Sequence, residues 1–97
     1  MNKCELFIDA FLDFDDVLRS NEAFDETKFN NVCFLLKDLK EIIQEQQSVP
    51  LSLASIFIDL YSSIESSAYR HEGKMKQVIL HAADTLTAIA REVISES

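Results

Sequence analysis

The pattern of apolar and polar positions divides the chain into four segments. Within each, apolar residues recur three and four positions apart, which places them along one side of an α-helix. No segment shows the sustained polar/apolar alternation of a half-buried strand. The spacing predicts helices over about residues 3–19, 26–46, 50–67 and 74–95. The predicted core rows are Phe7, Phe11, Phe14 and Leu18; Phe29, Val32, Leu36, Leu39 and Ile43; Leu53, Phe57, Leu60 and Ile64; and Met75, Ile79, Ala82, Leu86, Ile89 and Val93.

Capping residues and helix breakers mark the ends of these helices. Asp25 or Thr27 is suited to cap the second helix, because a short polar side chain there accepts a hydrogen bond from a free backbone N–H. Pro50 fits the first position of the third helix, where its missing N–H costs nothing. Gly73 can adopt the left-handed conformation just past a helix end. We therefore place the break between the third and fourth helices between Ser66 and Gly73.

Four amphipathic helices with short links predict a single all-α domain over residues 1–97. The expected architecture is a compact antiparallel four-helix bundle of the up-down-up-down type, with helices crossing at about 20°. The length suits one small domain, and a hydrophobic content of 47% is enough to build a core without disulfides.

The net charge of −8 narrows the classes of partner. Seventeen acidic residues outnumber nine basic ones, so direct binding to nucleic-acid phosphates or to anionic lipid is disfavoured. The longest uncharged run, residues 46–58, is too short to span a bilayer and contains Pro50. Glu5 and Asp9 interrupt what would be the apolar region of a signal peptide, so we expect a soluble cytoplasmic protein.

Acidic residues concentrate at the start of the chain. Glu5, Asp9, Asp13 and Asp16 follow at spacings of four, four and three, which places them on one ridge opposite the first core row. Like charges at such spacings destabilise a helix by about 0.2–0.5 kcal/mol per pair. The ridge therefore predicts a basic protein partner, although it can also be a solvated face that only aids solubility. The predicted partner-binding residues are Glu5, Asp9, Asp13, Asp15, Asp16, Glu22, Asp25 and Glu26.

Four of the five outward positions of the third helix carry the short hydroxyl side chain of serine, where Lys, Glu or Arg is usual. Small side chains permit close approach, and depletion of Lys and Glu is typical of interface cores. These positions form a possible second interface, for a partner or for a homodimer; the alternative is an ordinary hydroxyl-bearing helix surface. They are Ser52, Ser55, Asp59, Ser62 and Ser66.

The residues able to carry catalysis or bind metal are few and scattered. His71 and His81 are ten positions apart, and neither has the short spacing to Cys4 or Cys33 that zinc sites use. Cys33 lies beside the second core row and is expected to act as a small buried hydrophobe. No nucleophile with a paired base and no phosphate-binding loop is recognisable. The chain is predicted not to be an enzyme and to need no cofactor or metal.

One short motif resembles a known family. His71-Glu72-Gly73-Lys74 is similar to the phosphoacceptor motif of histidine phosphotransfer domains, which are themselves four-helix bundles. In that family the His is exposed in the middle of a helix, and a small residue follows the Lys. Here Met75 follows the Lys, and Gly73 between His and Lys indicates a helix boundary. The resemblance covers four residues and implies phosphotransfer through His71.

The leading functional expectation is a small acidic binding protein. Nuclease toxins need cationic surfaces to hold phosphate, so their inhibitors tend to be small and acidic. The sequence therefore favours an immunity or inhibitor protein that occludes the basic surface of such a toxin domain. An alternative is a helical adaptor, chaperone or regulatory module that acts through homo- or hetero-dimerisation. A histidine phosphotransfer protein acting through His71 is a remote third class.

Overall fold

Four α-helices make up most of the computed structural model, which describes residues 2–20 and 24–95. They are α1 (Lys3–Ser20), α2 (Glu26–Gln46), α3 (Leu51–Ala68) and α4 (Gly73–Ile94). No strand occurs in the described residues. The predicted all-α four-helix fold is confirmed, and each predicted helix boundary lies within one residue of the observed one.

The second helix begins and ends with defined caps. Of the two predicted capping residues, Asp25 is the one used: its Oδ1 accepts a hydrogen bond from the backbone N–H of Lys28 at 3.0 Å. At the other end, Gln47 adopts a left-handed conformation with φ of 52°. This residue ends α2 and turns the chain toward α3.

Two details of the helix ends correct the sequence prediction. Pro50 is the N-cap of α3 and not its first helical residue, and its carbonyl accepts hydrogen bonds from the N–H groups of Leu53 and Ala54. Gly73 is left-handed as predicted, with φ of 63°, but it is the first residue of α4. The end of α3 is capped instead by Tyr69, in a right-handed conformation. The break falls where the sequence placed it, with different residues in the capping roles.

The helices form a four-cornered bundle in which each packs on two others. α1 packs on α2 and α3, and α4 packs on the same two helices. Within the described residues, α1 does not lie side by side with α4, nor α2 with α3. The short link from α2 to α3 therefore joins opposite corners of the bundle.

Contacts between α1 and its neighbours give their directions. Lys3 of α1 forms an ion pair with Asp38 of α2 at 3.3 Å, and Asp13 pairs with Lys28 near the start of α2. The two helices are therefore antiparallel. By contrast, the start of α1 contacts the first half of α3, and the end of α1 contacts its second half. These contacts join Phe7 to Phe57 and Arg19 to Ser63.

The sequence predicted an antiparallel bundle, but two pairs of neighbouring helices are parallel. α1 and α3 are parallel neighbours. α2 and α4 are also parallel, because Lys40 contacts Glu92 at 3.2 Å and Gln44 contacts the carbonyl of Ser95 at 3.3 Å. Chain direction still alternates from each helix to the next, since α1 and α3 run one way and α2 and α4 run the other. The periodicity of a single helix predicts which face is buried but carries no information about which neighbour covers it.

The apolar rows of the four helices meet along the bundle axis. Most predicted core positions are buried, and Phe29, Phe57 and Ile89 are partly buried against the core. Met75 is an exception: it lies at the end of its row and is 37% exposed. The largest fully buried side chains are Phe7, Phe14, Leu18, Val32, Leu36, Leu39, Leu53, Leu60, Ile64, Ile79, Leu86 and Val93.

Replacing Leu36 by Ala tests the core assignment. Leu36 is fully buried, so Leu36→Ala should lower the free energy of unfolding by about 2–5 kcal/mol through cavity formation. The matched control is Phe34→Ala, two residues away on the same helix, where the side chain is 67% exposed. The control should change stability by less than about 0.5 kcal/mol. Urea denaturation followed by circular dichroism measures both; equal losses would contradict the described core.

Candidate functional site

The outward face of α1 carries carboxylates with no cationic neighbour. Burial of the phenylalanine row turns the opposite side of the helix to solvent. Glu5, Asp9 and Asp16 lie there and are exposed. Among the described residues, no Lys, Arg or His nitrogen lies within 4.0 Å of their carboxylate oxygens. Three negative charges therefore follow one another along one line of the helix, and no cation within residues 2–20 and 24–95 pairs with them.

An apolar side chain interrupts this line of carboxylates. Leu12 is 50% exposed and lies three residues after Asp9 and four before Asp16, so it lies between them on the same face. We call Glu5, Asp9, Leu12 and Asp16 the acidic face. Sequence reasoning missed Leu12 because apolar residues of an amphipathic helix are expected on the core side. Its spacing of three residues from Asp9 and four from Asp16 could have shown that Leu12 shares their face of the helix.

Asp13 lies at the edge of the acidic face, where α1 meets α2. Its carboxylate forms an ion pair with the ammonium group of Lys28. The hydrogen bond from that group to Asp13, reinforced by its charge, raises the pKa of Lys28. Asp13 remains exposed, but part of its charge is neutralised within the chain. It therefore contributes less to the acidic face than the sequence predicted.

Asp15 does not lie on the predicted partner surface. The residue is only 7% exposed and lies between α1 and α3. Its Oδ2 forms an ion pair with Arg19 Nε at 3.1 Å and accepts a hydrogen bond from Ser63 Oγ at 3.2 Å. Arg19 also donates to Ser63 Oγ at 2.6 Å, while Asp15 Oδ1 has no hydrogen-bond partner among the described residues. Asp15 follows the buried Phe14, so it lies on the flank of α1 that meets α3. Its contacts there help to join the two helices.

The other predicted acidic residues have separate positions. Asp25 is half-buried, and its side chain is engaged in capping α2. Glu26 is exposed in the first turn of α2, at the end of the bundle where α1 finishes. Glu22 lies outside the described residues. Of this group, Glu26 is the described carboxylate that is exposed, and it lines the cleft between α2 and α4.

The predicted second interface is exposed, and it contains more apolar surface than the sequence indicated. The predicted residues Ser52, Ser55, Asp59, Ser62 and Ser66 all lie on the surface. Leu51 and Ile58 of the same helix are 89% and 79% exposed, and Tyr69 at its end is 63% exposed. Sequence reasoning missed these three residues because the periodicity of one helix does not show which of its apolar positions a neighbouring helix covers.

The histidines and cysteines do not converge on a common site. No group of three or more His, Cys, Asp or Glu residues within the described ranges is arranged to hold a metal ion. Partial burial raises the pKa of the Cys33 thiol, which favours its neutral, unreactive form at neutral pH. Cys33 and Cys4 are free thiols that pack against the core.

His71 lies in the link between α3 and α4, whereas the family with the similar motif places its His within a helix. The backbone N–H of His71 donates to the carbonyl of Ala68 at 3.1 Å, and Nε2 is buried without a hydrogen-bond partner among the described residues. His81 is exposed and lines a shallow cleft of about 480 Å³ between α2 and α4, beside Phe29 and Val78.

Comparisons with known proteins do not assign the chain to a family. The chain matches no protein-family model, and comparison with curated proteins and with solved structures finds no significant match. None of the helices within residues 2–20 and 24–95 combines the length and the apolar content needed to cross a bilayer.

The role assigned to Asp15 leads to a stability prediction. Asp15→Asn removes the charge that Arg19 contacts, but the Arg19 side chain is 54% exposed and can be rehydrated. We therefore expect a loss of about 1–2 kcal/mol in the free energy of unfolding, less than for a fully buried pair. The control Asp16→Asn alters the exposed neighbouring carboxylate and should leave stability within about 0.5 kcal/mol. Denaturant titration measures the free energy of unfolding of both variants. An Asp15→Asn variant as stable as the wild type would contradict this role.

Proposed function

We propose that this chain is a small binding protein that captures a cationic protein partner through its acidic face. The most specific form of the proposal is an immunity or inhibitor protein that covers the basic, phosphate-holding surface of a nuclease-type toxin domain. The observation that carries it is the line of exposed carboxylates at Glu5, Asp9 and Asp16, which have no cationic neighbour among the described residues.

The distribution of ion pairs around α1 supports a functional origin for this charge. On the side of α2, Lys3 and Lys28 each pair with a carboxylate, and on the side of α3 Arg19 pairs with Asp15. The fold therefore uses its cations at both edges of α1 and places none on the outward line. Repulsion along that line costs stability, and a cationic partner would convert it into favourable contacts.

Leu12 gives the acidic face the arrangement of a protein–protein interface. Stable interfaces combine an apolar centre with a polar or charged rim. Leu12 lies between Asp9 and Asp16 and offers such a centre, since half of its side chain is already exposed. Charge would guide the approach of the partner, and burial of Leu12 would add short-range affinity.

Reversing two charges on the acidic face tests the proposal. Asp9→Lys with Asp16→Lys should weaken inhibition of a basic nuclease-type toxin domain by about 100-fold or more. The fold should be retained or slightly stabilised because repulsion along α1 is relieved. The measurements are nucleic-acid cleavage against inhibitor concentration and the affinity of the complex in a salt series from about 50 to 500 mM.

The control makes the same change in net charge elsewhere. Glu41 and Glu45 are exposed on α2, and Glu41→Lys with Glu45→Lys should alter affinity only modestly. If both double variants lose affinity equally, net charge alone governs binding and the acidic face is not the site. If the first variant binds as well as the wild type, the acidic face is removed from consideration.

A second candidate function is a helical adaptor, chaperone or regulatory module that acts through dimerisation. The specific observation in its favour is the exposure of Leu51 and Ile58 on α3. Large apolar side chains that share one exposed helix face are typical of surfaces that become covered by a partner.

A further inference from the structure

A cleft opens between the parallel helices α2 and α4 at their N-terminal ends. Its volume of about 480 Å³ lies within the range of about 300–1,000 Å³ that is usual for small-molecule sites. Near their other ends the two helices are joined by contacts from Lys40 to Glu92 and from Gln44 to Ser95. Within the cleft, the lining residue Ala82 is buried and small, so it leaves space that a larger side chain would fill.

Two phenylalanines line the α2 side of the cleft, and the core holds them in place. The ring centroids of Phe24 and Phe29 are 5.3 Å apart. Each of these rings also packs against Phe14, with centroids 5.8 Å apart, and Phe14 is almost wholly buried. The aromatic surface of the cleft is therefore ordered before a ligand arrives, which lowers the entropic cost of binding.

The polar side chains of the cleft favour a positively charged ligand. Glu26 is exposed there, and no Lys, Arg or His nitrogen among the described residues lies within 4.0 Å of its carboxylate oxygens. Asn30 and Gln77 add carboxamide oxygens that can accept hydrogen bonds. The described lining includes His81 but no Lys or Arg. The cleft thus combines apolar surface with a carboxylate that has no counter-charge in the described part of the chain.

We propose that this cleft binds a small organic cation that consists of an apolar body and an ammonium group. The apolar body packs against Phe24, Phe29 and Val78. Val78 is 41% exposed, so its burial adds to the affinity. The ammonium group donates hydrogen bonds to the carboxylate of Glu26, and the neighbouring aromatic rings attract its charge. A neutral ligand of the same shape lacks this ion pair, and an anionic ligand is repelled.

The charge of the chain and the position of the cleft are consistent with such a ligand. A net charge of −8 raises the concentration of cations near the surface. The cleft is lined by α2 and α4, whereas the acidic face belongs to α1, which does not lie beside α4. Binding of a small cation in the cleft is therefore independent of the protein partner proposed for the acidic face.

Three probes that share a phenyl group but differ in charge test the proposal. They are 2-phenylethylammonium, 2-phenylethanol and 3-phenylpropionate, titrated into the full chain at about pH 8, above the usual range of histidine titration. Backbone amide shifts in NMR spectra report both affinity and location. The ammonium probe should bind with a Kd of about 1–10 mM, as expected for a ligand of this size. It should shift the amides around Asn30 and Val78.

The two other probes measure the contribution of charge. The alcohol should bind about fivefold more weakly than the ammonium probe, and the carboxylate should show no measurable binding. Equal binding of all three probes would overturn the proposal, and so would shifts that lie away from the cleft.

Two substitutions in the cleft test the assignment of residues. Glu26→Gln should weaken binding of the ammonium probe about fivefold, to the level of the alcohol, because a neutral carboxamide replaces the carboxylate. The matched control Glu41→Gln makes the same change at an exposed position of α2 and should alter affinity by less than about twofold. Val78→Lys places a cation in the cleft and should abolish binding, whereas Ala88→Lys, at an exposed position of α4, should not.

The acidic face provides a further control. The Asp9→Lys, Asp16→Lys variant should bind the ammonium probe nearly as well as the wild type at about 150 mM salt, where distant charges are screened. Failure of this proposal is therefore distinguishable from failure of the acidic face. A Glu26→Gln variant with the affinity of the wild type for the ammonium probe, or a Val78→Lys variant that binds it normally, would overturn the proposal.

Discussion

Burial of the phenylalanine row of α1 is the interaction on which both candidate surfaces depend. Phe7, Phe11 and Phe14 are almost wholly removed from solvent. Burial of each such side chain contributes about 1.5–3 kcal/mol to the free energy of folding. Phe7 also packs edge-on against Phe57 of α3, with ring centroids 6.1 Å apart. This contact limits the rotation of both helices. Because the aromatic side of α1 faces the core, the line that includes Asp9 must face solvent.

The charge pattern of α1 follows from its position at a corner of the bundle. A corner helix has two flanks that meet neighbours and one side that meets only solvent. Lys28 and Asp38 of α2 supply counter-charges on one flank, and Arg19 neutralises Asp15 on the other. The outward side has no neighbour to supply a cation, and the sequence places none there. α2 differs, since Lys37 and Glu41 are both present on its exposed surface.

Helix positions were predictable because local physics determines them. The spacing of core residues, the Asp25 cap and the break at Pro50 set boundaries that hold to within one residue. Asp15 was misassigned because one-helix periodicity cannot show that α3 covers that flank. Ile58 was missed for a similar reason. An apolar residue in a helix is assigned to the core until the packing shows that no neighbouring helix covers it. Neighbour identity is a tertiary property, and short links permit more than one arrangement of the same four helices.

The two candidate surfaces lie on adjacent, parallel helices, and the same contacts hold both of them in place. The Asp15–Arg19–Ser63 bridge joins α1 to α3, and Phe7 packs against Phe57 in the same helix pair. The acidic face and the exposed side chains of Leu51 and Ile58 therefore lie at neighbouring corners of the bundle. Because α1 and α3 share these contacts, a substitution that weakens their packing should alter both surfaces, whereas a substitution at an exposed position of either helix should alter only one.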